Sequence, residues 1–565
     1  MIRTSIVCIV LLASPLILIC QTFSSQSANL ELIGSYGMNN SEGGGGLSLA
    51  DFNSDGLDDI SFATAAGFDP IFYINRGSHF EKVLPPYVSN TGEGKQIIWV
   101  DYDADGFKDI FIASEDSANR LYKNDGNFNF TDVSAAVGLF PVVEKTYGAN
   151  FGDLNSDGSL ELYITNYESD NMLYTYDPSL DYFVDITASA NVANGTRATF
   201  DAIFFDSDLD GDLDIYVVND KAGDENTLYM NIGSNTFVDI SVPSNTNIDL
   251  FSMNAGVADY NLDGLLDIYI TSQDNAVLLE NQGGNIYTDV ANTADVELAA
   301  WAWTGNFIDY DNDNDKDLYV SIEFSTNNRP NAFLVNNGNE TFIEPFEFSN
   351  GLAGVDGFSS FVNAIGDFDN NGFLDIMNYK AEVLGVDIFL NHTNNNSKSF
   401  KLDLQGSLAH QEAWGSRVEV VLTDGTILVD HKHCSESFLS QNSEYMHFGL
   451  NNNQIIDFIN VFWPSSTGIE TIQGLDITLG GLNKIIEASG VTEFTPYRVC
   501  FDSGFVKIDP LSSQLFGAEN VLNYEGTVMT NTTSILKSET EVSLEIGFEV
   551  NIGADLEILI DTCDN

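Results

Sequence analysis

One nine-residue pattern recurs seven times along this chain, beginning at Asp51, Asp101, Asp153, Asp206, Asp259, Asp309 and Asp367, at intervals of 50 to 58 residues. The copies read DFNSDGLDD, DYDADGFKD, DLNSDGSLE, DSDLDGDLD, DYNLDGLLD, DYDNDNDKD and DFDNNGFLD. Asp stands first, Asp or Asn third and fifth, Gly or Asn sixth, and Asp or Glu ninth. Of the 28 side chains at positions 1, 3, 5 and 9, 24 are carboxylates and the rest are amides. A period near 50 residues marks a repeat architecture, in which each unit buries its faces only by packing on its neighbours.

Oxygens at alternate positions of a tight turn are the donor set of a hard cation, which takes six to eight of them. The candidate ligands are Asp51, Asn53, Asp55 and Asp59; Asp101, Asp103, Asp105 and Asp109; Asp153, Asn155, Asp157 and Glu161; Asp206, Asp208, Asp210 and Asp214; Asp259, Asn261, Asp263 and Asp267; Asp309, Asp311, Asp313 and Asp317; Asp367, Asp369, Asn371 and Asp375. Calcium, up to seven structural ions, fits best. Magnesium holds on to its waters, and zinc wants His or Cys, which the loops lack. Gly at position 6 suits a left-handed turn, and Asn314 replaces it in the sixth copy. The third copy (Glu161) and the seventh (Asn371) are expected to bind more weakly.

An EF-hand begins in the same way but needs a Glu at position 12. Here that place is taken by Phe62, Ile112, Ile164, Val217, Ile270, Val320 and Asn378. Alternating strands follow each loop, as in Asp109-Ile110-Phe111-Ile112, and precede it, as in Gln96-Ile97-Ile98-Trp99-Val100. Further strands such as Leu121-Tyr122-Lys123-Asn124 and Phe128-Asn129-Phe130-Thr131-Asp132-Val133 complete four per period. The pattern predicts an all-β, seven-bladed propeller over 31–397.

The loop, with the L-Y-x-N and F-x-D-V endings, resembles the FG-GAP/VCBS repeat of integrin α-subunit propellers and bacterial surface proteins. That resemblance implies calcium at one rim and adhesion or ligand binding at the ring's faces. After Ser399 the Asp loops stop. The segments Gly415-Ser416-Arg417-Val418-Glu419-Val420, Ser437-Phe438-Leu439-Ser440-Gln441-Asn442, His447-Phe448-Gly449-Leu450 and Val461-Phe462-Trp463-Pro464-Ser465 resemble the ASPIC/UnbV domain. In the cartilage acidic protein family and its bacterial relatives, this domain follows such a propeller. The similarity implies a β-rich module over 399–475 and assigns it no reaction. A small acidic β module over 493–565 loosely resembles C-terminal modules of secreted proteins, some linked to sorting.

Arg3 followed by the apolar run Ile6–Ile19 reads as an export signal over 1–25, too short for a membrane span. The mature chain is therefore expected outside the cytoplasm, secreted or on the cell surface. With 84 Asp and Glu against 21 Lys and Arg, the net charge is −63, which disfavours nucleic acid and anionic lipid as partners. Cys434, Cys500 and Cys563 remain after the leader, with Cys500–Cys563 one possible pairing. His431 and His433 beside Cys434 invite a metal reading, against which ordinary strand residues are the simpler account. No nucleophile elbow, zinc-protease or phosphate-loop motif is present. The sequence therefore points to a non-enzymatic protein that binds extracellular glycan or protein ligands. A polysaccharide hydrolase or lyase, or a purely structural matrix protein, is the alternative.

Overall fold

In the computed structural model, residues 45–496 are described apart from short breaks (78, 85–87, 90–91, 140–142, 324–328, 346–359, 381–384, 394 and 466–467). Residues 23–25 and the backbone of short strands between 514 and 560 are described as well. The repeats fold as antiparallel meanders. In blade two Gly94–Val100, Asp109–Ser114, Arg120–Asn124 and Phe130–Asp132 pair in chain order. The first two of these strands are buried along their whole length, whereas the fourth buries Phe130 alone. A blade needs neighbours on both faces, so its inner strands read as continuous apolar runs and alternation returns only at the outer edge.

Each blade packs on the next through its own apolar cluster. Between blades one and two lie Phe52, Phe72, Ile97, Trp99, Ile110 and Phe130. The ring is closed: the inner strand Leu47–Ala50 lies beside both Gly94–Val100 of blade two and Ser360–Gly366 of blade seven. Phe23–Ser25 pairs with Phe389–Asn391 as the outermost strand of blade seven, and Phe23 packs on Phe333. Those three residues, which fall within the expected leader 1–25, pair as a strand of the ring. No helix among the described residues is long and apolar enough to cross a membrane.

The following module is a sandwich of two four-stranded sheets. One contains Met446–Leu450, Lys398–Gln405, Gly481–Ile486 and Gly490–Pro496, and the other Ile427–His431, Arg417–Leu422, Ile456–Phe462 and Ile469–Gln473. Phe400, Leu402, Val418, Phe448, Ile459 and Trp463 fill its core. The expected boundary at 475 is too early, because Gly481–Ile486 is a central strand paired in parallel with Lys401–Gln405. Local pattern did not show that, since a parallel partner lies far away in sequence. Glu493–Pro496 accordingly belongs to this sandwich rather than to a C-terminal module. The sorting reading, Cys500 and Cys563 lie outside the residues whose side chains are described, and Cys434 is a buried free thiol.

The module sits on the Asp-loop rim, and one segment of it enters the ring. Ser440–Gln441 pairs with Leu47–Ser48, and the Gln441 amide bonds the backbone of Trp99 on both sides, each at 3.0 Å. The Phe438 ring packs against Phe200 of blade four at 5.2 Å and Trp303 of blade six at 5.6 Å. The segment Ser437–Asn442, one of the motifs of the module, is thus a plug in the channel, holding only a two-residue strand.

Candidate metal sites on the ring

All seven loops share one hydrogen-bond scaffold. The position-1 carboxylate accepts the backbone N–H of position 5 on one oxygen and that of position 6 on the other, as Asp101 does from Asp105 at 3.0 Å and Gly106 at 2.8 Å. The same pair of bonds recurs at Asp51, Asp153, Asp206, Asp259, Asp309 and Asp367. Position 6 is left-handed as expected, at φ +90° for Gly106 and +82° for Asn314. Position 4 is left-handed too, at Ser54, Ala104, Ser156, Leu209, Leu262, Asn312 and Asn370. Sequence reasoning missed this second reversal, because only Asn312 and Asn370 are residue types that advertise it.

Position 9 ties each loop to the third strand of its blade. Asp59, Asp109, Asp214, Asp267, Asp317 and Asp375 accept the N–H of Asn75, Asn124, Asn231, Asn281, Asn336 and Asn391 at 2.6–2.8 Å. Five of those Asn side chains then reach the previous blade. Asn75, Asn231, Asn281, Asn336 and Asn391 donate to the carbonyls of Phe368, Leu154, Ser207, Tyr260 and Tyr310 at 2.7–3.1 Å. The Asn that ends the L-Y-x-N run is therefore a staple between neighbouring loops. Blade three lacks it, and Tyr176 instead packs edge-on against Tyr102 of blade two at 5.4 Å.

Positions 1 and 9 are buried in every loop and position 3 is half-buried, while position 5 is exposed in the first five loops. Four loops bring three carboxylates within 4.8 Å of one another and can hold a metal ion: Asp101, Asp103 and Asp109; Asp206, Asp208 and Asp210; Asp309, Asp311 and Asp313; Asp367, Asp369 and Asp375. The other three loops carry an amide at position 3: Asn53, Asn155 and Asn261. Buried carboxylate oxygens without a hydrogen-bond partner remain at Asp59 Oδ2, Asp103 Oδ1, Asp109 Oδ2 and Asp208 Oδ1. Burial, reinforced by neighbouring carboxylates, pushes Asp59 and Asp109 up to about 9. A cation among these oxygens would reverse that shift by favouring the charged form.

The two loops expected to be weak differ from each other. In the third, Glu161 spends its oxygens on Asn155, Thr175, Asn235 and the N–H of Leu154, at 2.7–2.9 Å, so the longer side chain satisfies itself within the protein. In the seventh, Asn371 leaves a triad intact, and Lys401 of the module stands 3.3 Å from Asp367. The His431–His433 pair does not form a comparable site. The rings lie 5.9 Å apart, and no His joins a group of three or more metal-ligating side chains among the described residues.

The repeat family described as FG-GAP-like repeat matches residues 51–112, 101–164, 153–217, 206–270 and 259–320, and the family described as ASPIC and UnbV matches 406–478. The chain is an FG-GAP-repeat protein with an ASPIC/UnbV domain. Each repeat match runs from one loop to the strand after the next, and the loops at Asp309 and Asp367 carry the same scaffold to the end of the ring. No curated protein matches this FG-GAP protein. Among solved structures it is similar to a lectin of Agrocybe aegerita that recognises non-reducing terminal N-acetylglucosamine (16% identity, 52% of this chain and 77% of that one, TM-score 0.34). It is also similar to PorZ, a surface component of the type-IX secretion system of Porphyromonas gingivalis (12% identity, 75% and 58%, TM-score 0.40). A third likeness is to BBS1N in complex with ARL6DN (10%, 62% and 93%, TM-score 0.38). At these scores none of them carries an inference about what the chain binds.

Proposed function

We propose that this protein is exported and calcium-loaded, and that it acts outside the cytoplasm by binding glycan or protein ligands, without catalysis. The observation that carries the calcium reading is the set of buried, unpartnered carboxylate oxygens at Asp59, Asp103, Asp109 and Asp208. Each of these carboxylates has a partner on its other oxygen (Asn75, Lys123, Asn124 and Asn285). A buried acceptor left unmet costs about 1–3 kcal/mol, and a hard divalent cation with oxygen ligands supplies the missing partner. When bound, the ion would offset part of the loop's negative charge and tie positions 1 and 3 to position 9 or position 5. The chain's own residues do the rest: position 1 shapes the turn, position 9 anchors it to the third strand, and the Asn staple joins it to the next blade. Most of the buried carboxylates with raised pKa values are committed to these loops, which supports a binder over an enzyme.

Metal analysis of the purified protein should find several calcium ions per chain, and EGTA should lower the melting temperature strongly. Each site held at 100 times its Kd contributes about 2.7 kcal/mol. An unchanged melting temperature with well under one ion per chain would refute the calcium reading. Saturable retention on a polysaccharide or protein array, with no new reducing ends or unsaturated products, is the outcome expected of a binder.

A further inference from the structure

Between blades one and two and the module lies an open cleft of about 810 Å³, inside the size range of small-ligand sites. Its ring side is aromatic. Phe107 is 45% exposed, and its ring covers the position where Gly126 lacks a Cβ. Phe128 stacks on Phe52 at 5.3 Å beside it. The module side is polar and brings Lys432, Glu444, Asp403 and Lys484 to the same space.

Lys432 is the unusual member of this set. It is 3% exposed, and burial pulls its ammonium below the ordinary lysine range. One of its donors goes to the Leu404 carbonyl at 3.0 Å, and the Trp414 ring lies 5.1 Å away. Lys108 pairs with one oxygen each of the nearby Glu412 and Glu444, at 2.6 and 2.9 Å, and Lys432 with neither. An ammonium has three donors, and a buried one is costly unless they are used. Lys432 therefore faces the cleft with donors to spare.

The mixed charge narrows the ligand. An anionic group entering the cleft would meet Asp403, Glu444 and the loop carboxylates, and a cationic one would meet the buried ammonium of Lys432, since Lys108 is paired with Glu412 and Glu444 and Lys484 with Asp403 at 3.6 Å. A hydroxyl group accepts from an ammonium and donates to a carboxylate at once, so a neutral polyol satisfies both. The exposed face of Phe107 suits the apolar C–H face of a sugar ring. We infer that this cleft binds a neutral oligosaccharide, with hydroxyls between Lys432 and Glu444 and a ring face on Phe107. This inference rests on the binding function proposed above and gives that function a place.

Isothermal titration of the full calcium-loaded chain with cello-, xylo-, manno- and chito-hexaose, and with hexagalacturonate as the anionic control, tests it. At least one neutral hexaose should bind, and hexagalacturonate should not. Lys432→Met and Phe107→Ala should each weaken binding by roughly tenfold, or about 1.4 kcal/mol. Phe107 is exposed, so its variant keeps the fold even if Lys432→Met melts lower. Equal binding to both variants overturns the cleft site while leaving a binding protein. Preference for hexagalacturonate, or no saccharide binding alongside retention on a protein array, also overturns it. Loss of every form of retention overturns the binding function itself.

Discussion

At the scale of single residues, the buried loop carboxylates have opposite effects with and without a cation. Asp109 accepts the Asn124 N–H on one oxygen and leaves the other unpartnered in a buried setting. Asp109→Asn keeps an acceptor for Asn124 and removes the charge. In EGTA the variant should be more stable than wild type, by about 1 kcal/mol or more, because the Asp109 carboxyl, pushed up to about 9, must take up a proton on folding and the amide need not. In saturating calcium the order should invert, with one ion fewer by metal analysis. Parallel urea titrations in the two buffers read both halves. His431 gives a separate prediction from the module. Burial, then His433 and Arg417, hold its pKa well below the ordinary value, so the folded protein keeps it neutral. The unfolded chain takes up a proton below about pH 6.5, so this group's contribution is present above that pH and lost as the pH falls. That loss grows steadily from pH 8 to pH 5. His431→Gln should therefore cost less stability at pH 5 than at pH 8 in urea unfolding of the calcium-loaded protein.

At the scale of elements, the Asn staple explains why loop and third strand recur together. Asn231 donates to Leu154 O of the previous blade at 2.7 Å and Leu213 O at 3.0 Å, and accepts from Gly233 N. Asn231→Ala leaves buried carbonyls unmet and should cost about 2–3 kcal/mol in denaturant unfolding. The recurring Asn was legible in sequence as a strand ending, but its reach to the preceding blade was not, since the partner carbonyl is some 77 positions away. The second left-handed residue of each loop was hidden for a different reason: Leu209 and Leu262 carry no local preference for that conformation, and the hydrogen bonds to the position-1 carboxylate impose it.

At the scale of the whole molecule, the module and the ring are built into each other. Phe438 fills the channel, and Gly449 lies so close to the sixth loop that a Cβ there would stand 2.6 Å from Asn312 Cα. Asn314 donates to Gly449 O at 2.6 Å, and Tyr445 donates to Asp51 at 2.8 Å. Calorimetry of the calcium-loaded protein should show ring and module melting together. Phe438→Ala should lower stability by about 3–5 kcal/mol, as for large-to-small changes in a core, and should separate the transition into two. A single unshifted transition in the variant would show that the plug does not couple them.

Sequence alone determined the repeat, its all-β character, the seven loops and the oxygen donors in them. These are local: a turn needs its residues within nine positions, and a half-buried strand writes its own alternation. Tertiary structure decided what lies between distant segments. It placed Phe23–Ser25 in the last blade, extended the module to Pro496, set Ser437–Asn442 as a plug in the channel, and set the cleft beside Lys432. Each of these depends on partners far apart in the chain. The short alternating pattern of a segment is the same whether it pairs within its own sheet or enters a neighbour's channel, so only packing could distinguish them.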